Sequence, residues 1–208
     1  MAPLLLFQSP HAIQLFYYNL VMKAINVLIL SAGRQVMLVE AFRDAQKSRD
    51  STGYVIAADA NRFSASLEVA DSGLIAPKTT ENTFSRWLLG IVEQYSPLLL
   101  LTLYERDLYV LEPMRELLLT AGCKLIGMPI STLDSCLDKR KTAKVCKKLG
   151  LQAPAIWTAE NKANIKSNSL PLIAKEIYGR GSRGQSMINS LEELKQYFLE
   201  GCSDILFQ

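Results

Sequence analysis

Ile25-Asn26-Val27-Leu28-Ile29-Leu30-Ser31-Ala32-Gly33-Arg34 decides the fold. A short aliphatic run rich in β-branched residues reads as a strand buried on both faces. Ser31-Ala32-Gly33-Arg34 then reads as a turn. Behind it, Val36, Val39 and Phe42 fall at helical spacing within Val36–Ala45. Strand, tight turn and helix in that order are one half of a β-α-β unit.

The same alternation continues outward from this stretch. Strands are expected at Tyr54–Ala58, ending on Asp59, and at Asp71–Ile75, ahead of Pro77. Thr83–Gln94 reads as a helix, Leu98–Leu101 as a strand, Leu108–Thr120 as a helix stopped by Gly122, and Lys124–Ile126 as a strand. Strands alternating with helices predict an α/β fold with a parallel sheet covered on both faces. Such sheets bind ligands at the carboxyl ends of their strands, which puts Gly33, Arg34, Asp59 and Tyr104–Asp107 on the ligand edge.

The character changes near residues 130–150. Leu137–Leu149 reads as a basic helix ended by Gly150. Ala155–Thr158 and Leu172–Ile177 read as strands, Tyr178–Gly184 as a glycine-rich loop, and Gln185–Ile188 as a strand. Ser190 with Glu193 forms a capping box ahead of a helix, and a further strand begins at Asp204. Strand, glycine loop, strand, helix and strand make an α+β unit. The expected organisation is an N-terminal extension over 1–21, a Rossmann-like domain over 22–135, and the first half of a second domain over 136–208.

Composition removes several classes of function. Hydrophobic residues make up 49% and charged residues 21% of the 208, with net charge +3, as in ordinary globular chains. Basic residues are dispersed apart from Lys139–Lys148, which argues against a nucleic-acid or polybasic membrane surface. The four cysteines form no C-x-x-C pair, so zinc and redox motifs are not indicated, and reduced thiols in a cytoplasmic protein are expected. The single histidine, His11, nearly excludes Ser-His-Asp and Cys-His catalysis. Met1–Val21 carries no Lys, Arg, Asp or Glu and lacks the basic start of a signal peptide. Met22, directly before Lys23-Ala24-Ile25, is the expected natural start.

Four constellations carry chemistry. In Lys175-Glu176-Ile177-Tyr178-Gly179-Arg180-Gly181-Ser182-Arg183-Gly184, glycines expose backbone N–H groups that can wrap phosphate oxygens. Arg180, Arg183 and Lys175 add charge there; a solvated basic hairpin is the plain alternative. Asp138-Lys139-Arg140-Lys141-Thr142 opens a helix and could meet an anion, or could simply be a solvated basic face. Ser31–Arg34 with Asp59 mimics a dinucleotide site, but only Gly33 stands where G-x-G-x-x-G is needed, so a closed turn capped by Asp59 is favoured. Thr102–Asp107 suits either a ligand edge or the N-terminus of the next helix.

The order Asp138-Lys139, Gly150 with Pro154, Pro171–Lys175 and Gly179–Gly184 resembles the ATP-grasp superfamily, in its carbamoyl-phosphate-synthase-large-subunit-like branch. Ser31–Arg34 and Tyr104–Leu108 look like the Rossmann-like front domain of that branch. The resemblance covers about residues 24–208 and implies a pre-ATP-grasp domain followed by the first α+β subdomain of the ATP-grasp fold. It implies ATP and Mg2+ as cofactors. Lys139 and Lys175 would be the basic residues on the phosphates, and Gly179, Arg180, Gly181, Ser182, Arg183 and Gly184 the loop closing over them. The front domain would hold part of a small carboxylate substrate's site, at Gly33, Arg34, Glu105 and Arg106. The implied reaction is carboxylate–amine ligation through an acyl phosphate, and a homodimer is compatible with it. Glu176 departs from the proline that many members place after the strand lysine.

The resemblance also places the adenine hinge and acidic magnesium ligands after Gln208, so no metal ligand and no catalytic residue is assigned here. The chain is therefore expected to be the front part of such a ligase, binding ATP weakly alone. A Rossmann-type nucleotide-binding protein and a non-catalytic interaction module remain the alternatives.

Overall fold

The computed structural model describes residues 24–49, 52–179, 181–182, 184–199 and 204–208. The readings made on residues 1–21, Met22, His11, Arg180, Arg183 and Cys202 lie outside them. The chain divides after Met128 into two compact units.

In the first unit β1 (Val27–Leu30) is wholly buried, as is β2 (Val55–Asp59) except at Asp59. With β3 (Ser72–Ile75), β4 (Leu99–Thr102) and β5 (Lys124–Ile126) they form one parallel sheet in the order β3-β2-β1-β4-β5. The order reverses at β1, between β2 and β4, and a crevice for ligand forms outside the strand ends at such a point. Helices α1 (Val36–Ser48), α2 (Ala65–Val69) and α3 (Phe84–Tyr95) connect the strands. Val39 of α1 is buried in the core with Val27, Ile29, Val55 and Ala57, and Phe42 packs on its edge. Gly73 is needed where it stands, because a Cβ there would collide with the Leu67 carbonyl.

Two sequence readings change here. The helix expected over 108–120 is α4 (Leu108–Leu111) and α5 (Arg115–Thr120), flanked by 3-10 turns at Glu105–Asp107 and Glu112–Met114. Pro113 has no N–H to donate and interrupts the ladder. The short helix α2 was not anticipated, because five residues carry too little periodicity to signal one.

In the second unit α6 (Ile130–Leu137) runs into α7 (Lys139–Lys148), with Asp138 between them. β6 (Leu172–Glu176) is the centre of an antiparallel sheet between β7 (Ser186–Ile188) and β8 (Ile205–Phe207), covered by α8 (Leu191–Leu199). Leu172, Ala174, Ile188, Leu194 and Phe207 form its core. The opposite face of the sheet stays open at Ile173 and Met187. Ser190 caps α8 as expected, its Oγ accepting from Glu193 N–H at 3.1 Å, while the Glu193 carboxylate reaches one residue further back, to Asn189 N–H at 2.9 Å. The strand expected at Ala155–Thr158 is only a single bridge, Trp157 to Phe207. Helix α6 was also not anticipated.

Candidate functional site

In the first unit the strand ends meet around a cleft of about 240 Å³ lined by Ser31, Asp59, Lys78, Thr79, Tyr104 and Asp107, among others. Asp107 is its hub and is 1% exposed. Its carboxylate accepts hydrogen bonds from the hydroxyls of Ser31 at 2.6 Å, Thr102 at 2.7 Å and Thr79 at 2.9 Å. Three neutral donors thus replace the water the carboxylate gives up on burial. Ser31 takes a left-handed backbone (φ 50°) to deliver its hydroxyl, a conformation that costs a non-glycine residue energy.

Asp59 closes the neighbouring turn. It accepts from Gly33 N–H at 2.7 Å and Asn61 N–H at 2.8 Å, while Ser66 Oγ donates to the Gly33 carbonyl at 2.6 Å. The glycine amide that a dinucleotide pyrophosphate would need is therefore used internally. Gly33, Arg34, Glu105 and Arg106, the expected substrate contacts, lie on the same edge but are not among the residues lining the cleft. For Asp107 the sequence offers the ligand edge or the start of the next helix, and the structure makes it the acceptor of three hydroxyls. The hydroxyls Ser31 and Thr102, ending adjacent strands β1 and β4, were the available signal.

In the second unit the carboxylate of Asp138 caps α7, accepting from the N–H groups of Arg140 at 2.9 Å and Lys141 at 3.4 Å. The Arg140 guanidinium also grips it, through Nε at 3.1 Å and Nη2 at 2.8 Å, and the Tyr178 hydroxyl donates to it at 3.2 Å. These bonds, the arginine's first, hold the Asp138 carboxyl down at about 2 against the opposing effect of burial.

Lys139 points away from that pair. Its Nζ donates to the carbonyls of Gly179 at 2.6 Å, Glu176 at 2.8 Å and Ile177 at 3.3 Å, where β6 runs into the glycine loop. Burial lowers the pKa of this ammonium, and the nearby Lys175 lowers it further, against Glu176 and Asp138. Two ammonium groups thus stand close together at the loop mouth. All three Lys139 donors are spent on the three carbonyls, so the ammonium fastens the entrance of the glycine loop and adds positive charge there. Gly181, Ser182 and Gly184 adopt positive φ (62°, 56° and 65°), and a Cβ at Gly179 would sit 2.7 Å from Glu176 Cβ. The structure therefore brings Lys139 against Gly179 at the end of β6, the strand that carries Lys175, and Gly181, Ser182 and Gly184 follow in the same loop.

Among the described residues no three His, Cys, Asp or Glu side chains gather as a metal site. Cys123, Cys136 and Cys146 are free, and burial pushes the Cys123 thiol up to about 11. No helix among the described residues is long and apolar enough to cross a membrane.

The chain is a five-stranded parallel domain followed in sequence by an α+β unit with a glycine hairpin, and known proteins share parts of this arrangement. Within it, residues 27–126 match the family described as PylC-like, N-terminal domain. The carbamoyl phosphate synthase large chain of Pyrococcus furiosus is 34% identical over 80 residues, which are 36% of this chain and 8% of that one. The chain thus spans under a tenth of the length of that relative. Among solved structures, the L-amino acid ligase from Bacillus licheniformis superposes with TM-score 0.60 at 18% identity, over 88% of this chain and 43% of that one. The biotin carboxylase domain of Hydrogenobacter thermophilus 2-oxoglutarate carboxylase, solved with MgADP and bicarbonate, gives 0.62 at 16%, over 88% and 44%. These two likenesses carry the fold alone.

Proposed function

We propose that this chain supplies the phosphate side of an ATP site in an ATP-dependent carboxylate–amine ligase. The observation that carries the reading is Lys139. Its ammonium is tied to three carbonyls at the entrance of the glycine loop, beside Lys175. The open sheet face at Ile173 and Met187 gives an apolar shelf next to these cations, suited to a nucleobase.

In this reading Lys175 and, once it exchanges a loop carbonyl for a phosphate oxygen, Lys139 hold the phosphates, and the loop from Gly179 through Arg180, Gly181, Ser182 and Arg183 to Gly184 closes over them. A carboxylate oxygen of the substrate attacks the terminal phosphorus and ADP leaves. The amine then attacks the acyl carbon of the acyl phosphate and phosphate departs. The protein's part is positioning and charge screening. Mg2+ neutralises phosphate charge in such sites. Gly33, Arg34, Glu105 and Arg106 lie on the edge proposed for the small carboxylate, in a cytoplasmic enzyme compatible with a homodimer.

The test is binding of Mg-ATP and of NAD by the purified chain, with Lys139→Met and Lys175→Met as variants. Mg-ATP binding, weak but saturable, should fall by about tenfold or more in each variant, as expected for loss of a charge-assisted contact. Stabilisation by NAD in place of Mg-ATP would sink the ligase reading and favour a Rossmann-type nucleotide binder.

A further inference from the structure

Beside α7, on the side away from Lys139, lies a second concavity of about 830 Å³. Arg140, Lys144 and Lys147 line it at helical spacing i, i+4 and i+7, with Lys141 on its shoulder. The facing wall is apolar, formed by Leu151, Pro154 and Ile156 with intervening alanines. Its volume is in the range of small-molecule sites, which pair apolar walls with a few convergent polar groups.

The charge in this cleft is unbalanced. Asp138 is satisfied by Arg140, Tyr178 and two amides, which leaves Glu160 as the other carboxylate in the lining. Among the described residues, Lys141, Lys144 and Lys147 form no ion pair. Consecutive residues on a helix point about 100° apart. Lys139 therefore serves the glycine loop, while Lys144 and Lys147 face the cleft and Arg140 is paired with Asp138 between them.

We propose that this cleft is a second anion site, taking a phosphorylated small molecule with an apolar body. Lys144 and Lys147 meet the phosphate as point charges, and the Leu151–Ile156 wall covers the organic part. Arg140 also joins the cleft to the loop through Asp138 and Tyr178. This inference does not depend on what the glycine loop binds.

The experiment titrates the chain with 1-naphthyl phosphate, orthophosphate and a short polyglutamate peptide, followed by calorimetry and amide NMR shifts. The variant is Lys144→Glu/Lys147→Glu, two exposed positions. The expected result is saturable binding of 1-naphthyl phosphate, with shifts along 140–156. Orthophosphate should bind about tenfold more weakly, because it lacks an apolar body, and the variant should lose about tenfold or more. Mg-ATP affinity should change less than about twofold in that variant, since Lys139 is untouched. Absence of saturable binding, equal binding by the variant, or equal affinity for orthophosphate overturns the proposal. Tighter binding of polyglutamate overturns it in favour of an acidic protein segment. Loss of Mg-ATP binding in the variant overturns the separation of the two sites.

Discussion

Asp107 and Asp138 are both 1% exposed, yet the two units satisfy their carboxyl oxygens by opposite means. Asp107 is solvated by three neutral hydroxyls from three separate segments. Asp138 is neutralised by one guanidinium from its own helix, with amides and a tyrosine completing the shell. The first arrangement ties distant chain segments together and suits a fixed frame. The second concentrates charge locally, beside the loop that the ligand reading assigns to phosphate. Buried carboxylates thus mark both strand-end assembly and helix-start electrostatics, and their partners tell which.

The hardest test of this contrast is Asp107→Ala. It leaves three half-buried hydroxyls without their acceptor and should cost about 1 kcal/mol for each, about 3 kcal/mol in all, in urea unfolding. Loss of less than about 1 kcal/mol would show that the hub does not fasten the strand ends. Asp138→Ala should cost about 2 kcal/mol, and that cost should depend on pH. Because the folded Asp138 sits at about 2, below the usual 3.8, its contribution is present above about pH 4 and fades as pH falls toward 2. Wild type minus Asp138→Ala, measured from pH 5 to pH 2, should shrink accordingly; a flat difference would contradict the ion-pair account.

Smaller effects sharpen the picture. Ser31→Gly relieves the left-handed backbone but removes a donor to Asp107, so the two changes should cancel to within about 1 kcal/mol. A large loss would mean the hydroxyl dominates; a gain would mean the strain does. Lys47→Ala removes an exposed i,i+3 pair with Asp44 and should alter stability by less than about 0.5 kcal/mol. Chemical denaturation reads both.

The parallel sheet was legible because β1 and β2 are short, uninterrupted aliphatic runs, and local pattern is what sequence shows directly. The basic helix and the glycine hairpin were legible for the same reason: cations and glycines announce themselves. Helices of four to eight residues were not, nor was the break at Pro113, where apolar periodicity outweighed the missing donor in the reading. The Asp107 hub was invisible for a different cause. Its partners lie 76, 28 and 5 residues away in sequence, and only the fold brings them together. Likewise the cleft beside α7 depends on how Leu151–Asn161 folds back, which no local motif specifies.

The placement of Lys139 and Arg140 on successive helical positions has a consequence for sequence change. What matters there is helix phase more than residue identity. One residue inserted or removed between Asp138 and Arg140 would rotate every downstream side chain by about a quarter-turn. It would carry the row of cations at 140, 144 and 147 off the cleft while leaving composition and charge almost untouched. Length variation should therefore be tolerated at the largely exposed 3-10 turn Ser167–Ser169, and excluded at the start of α7.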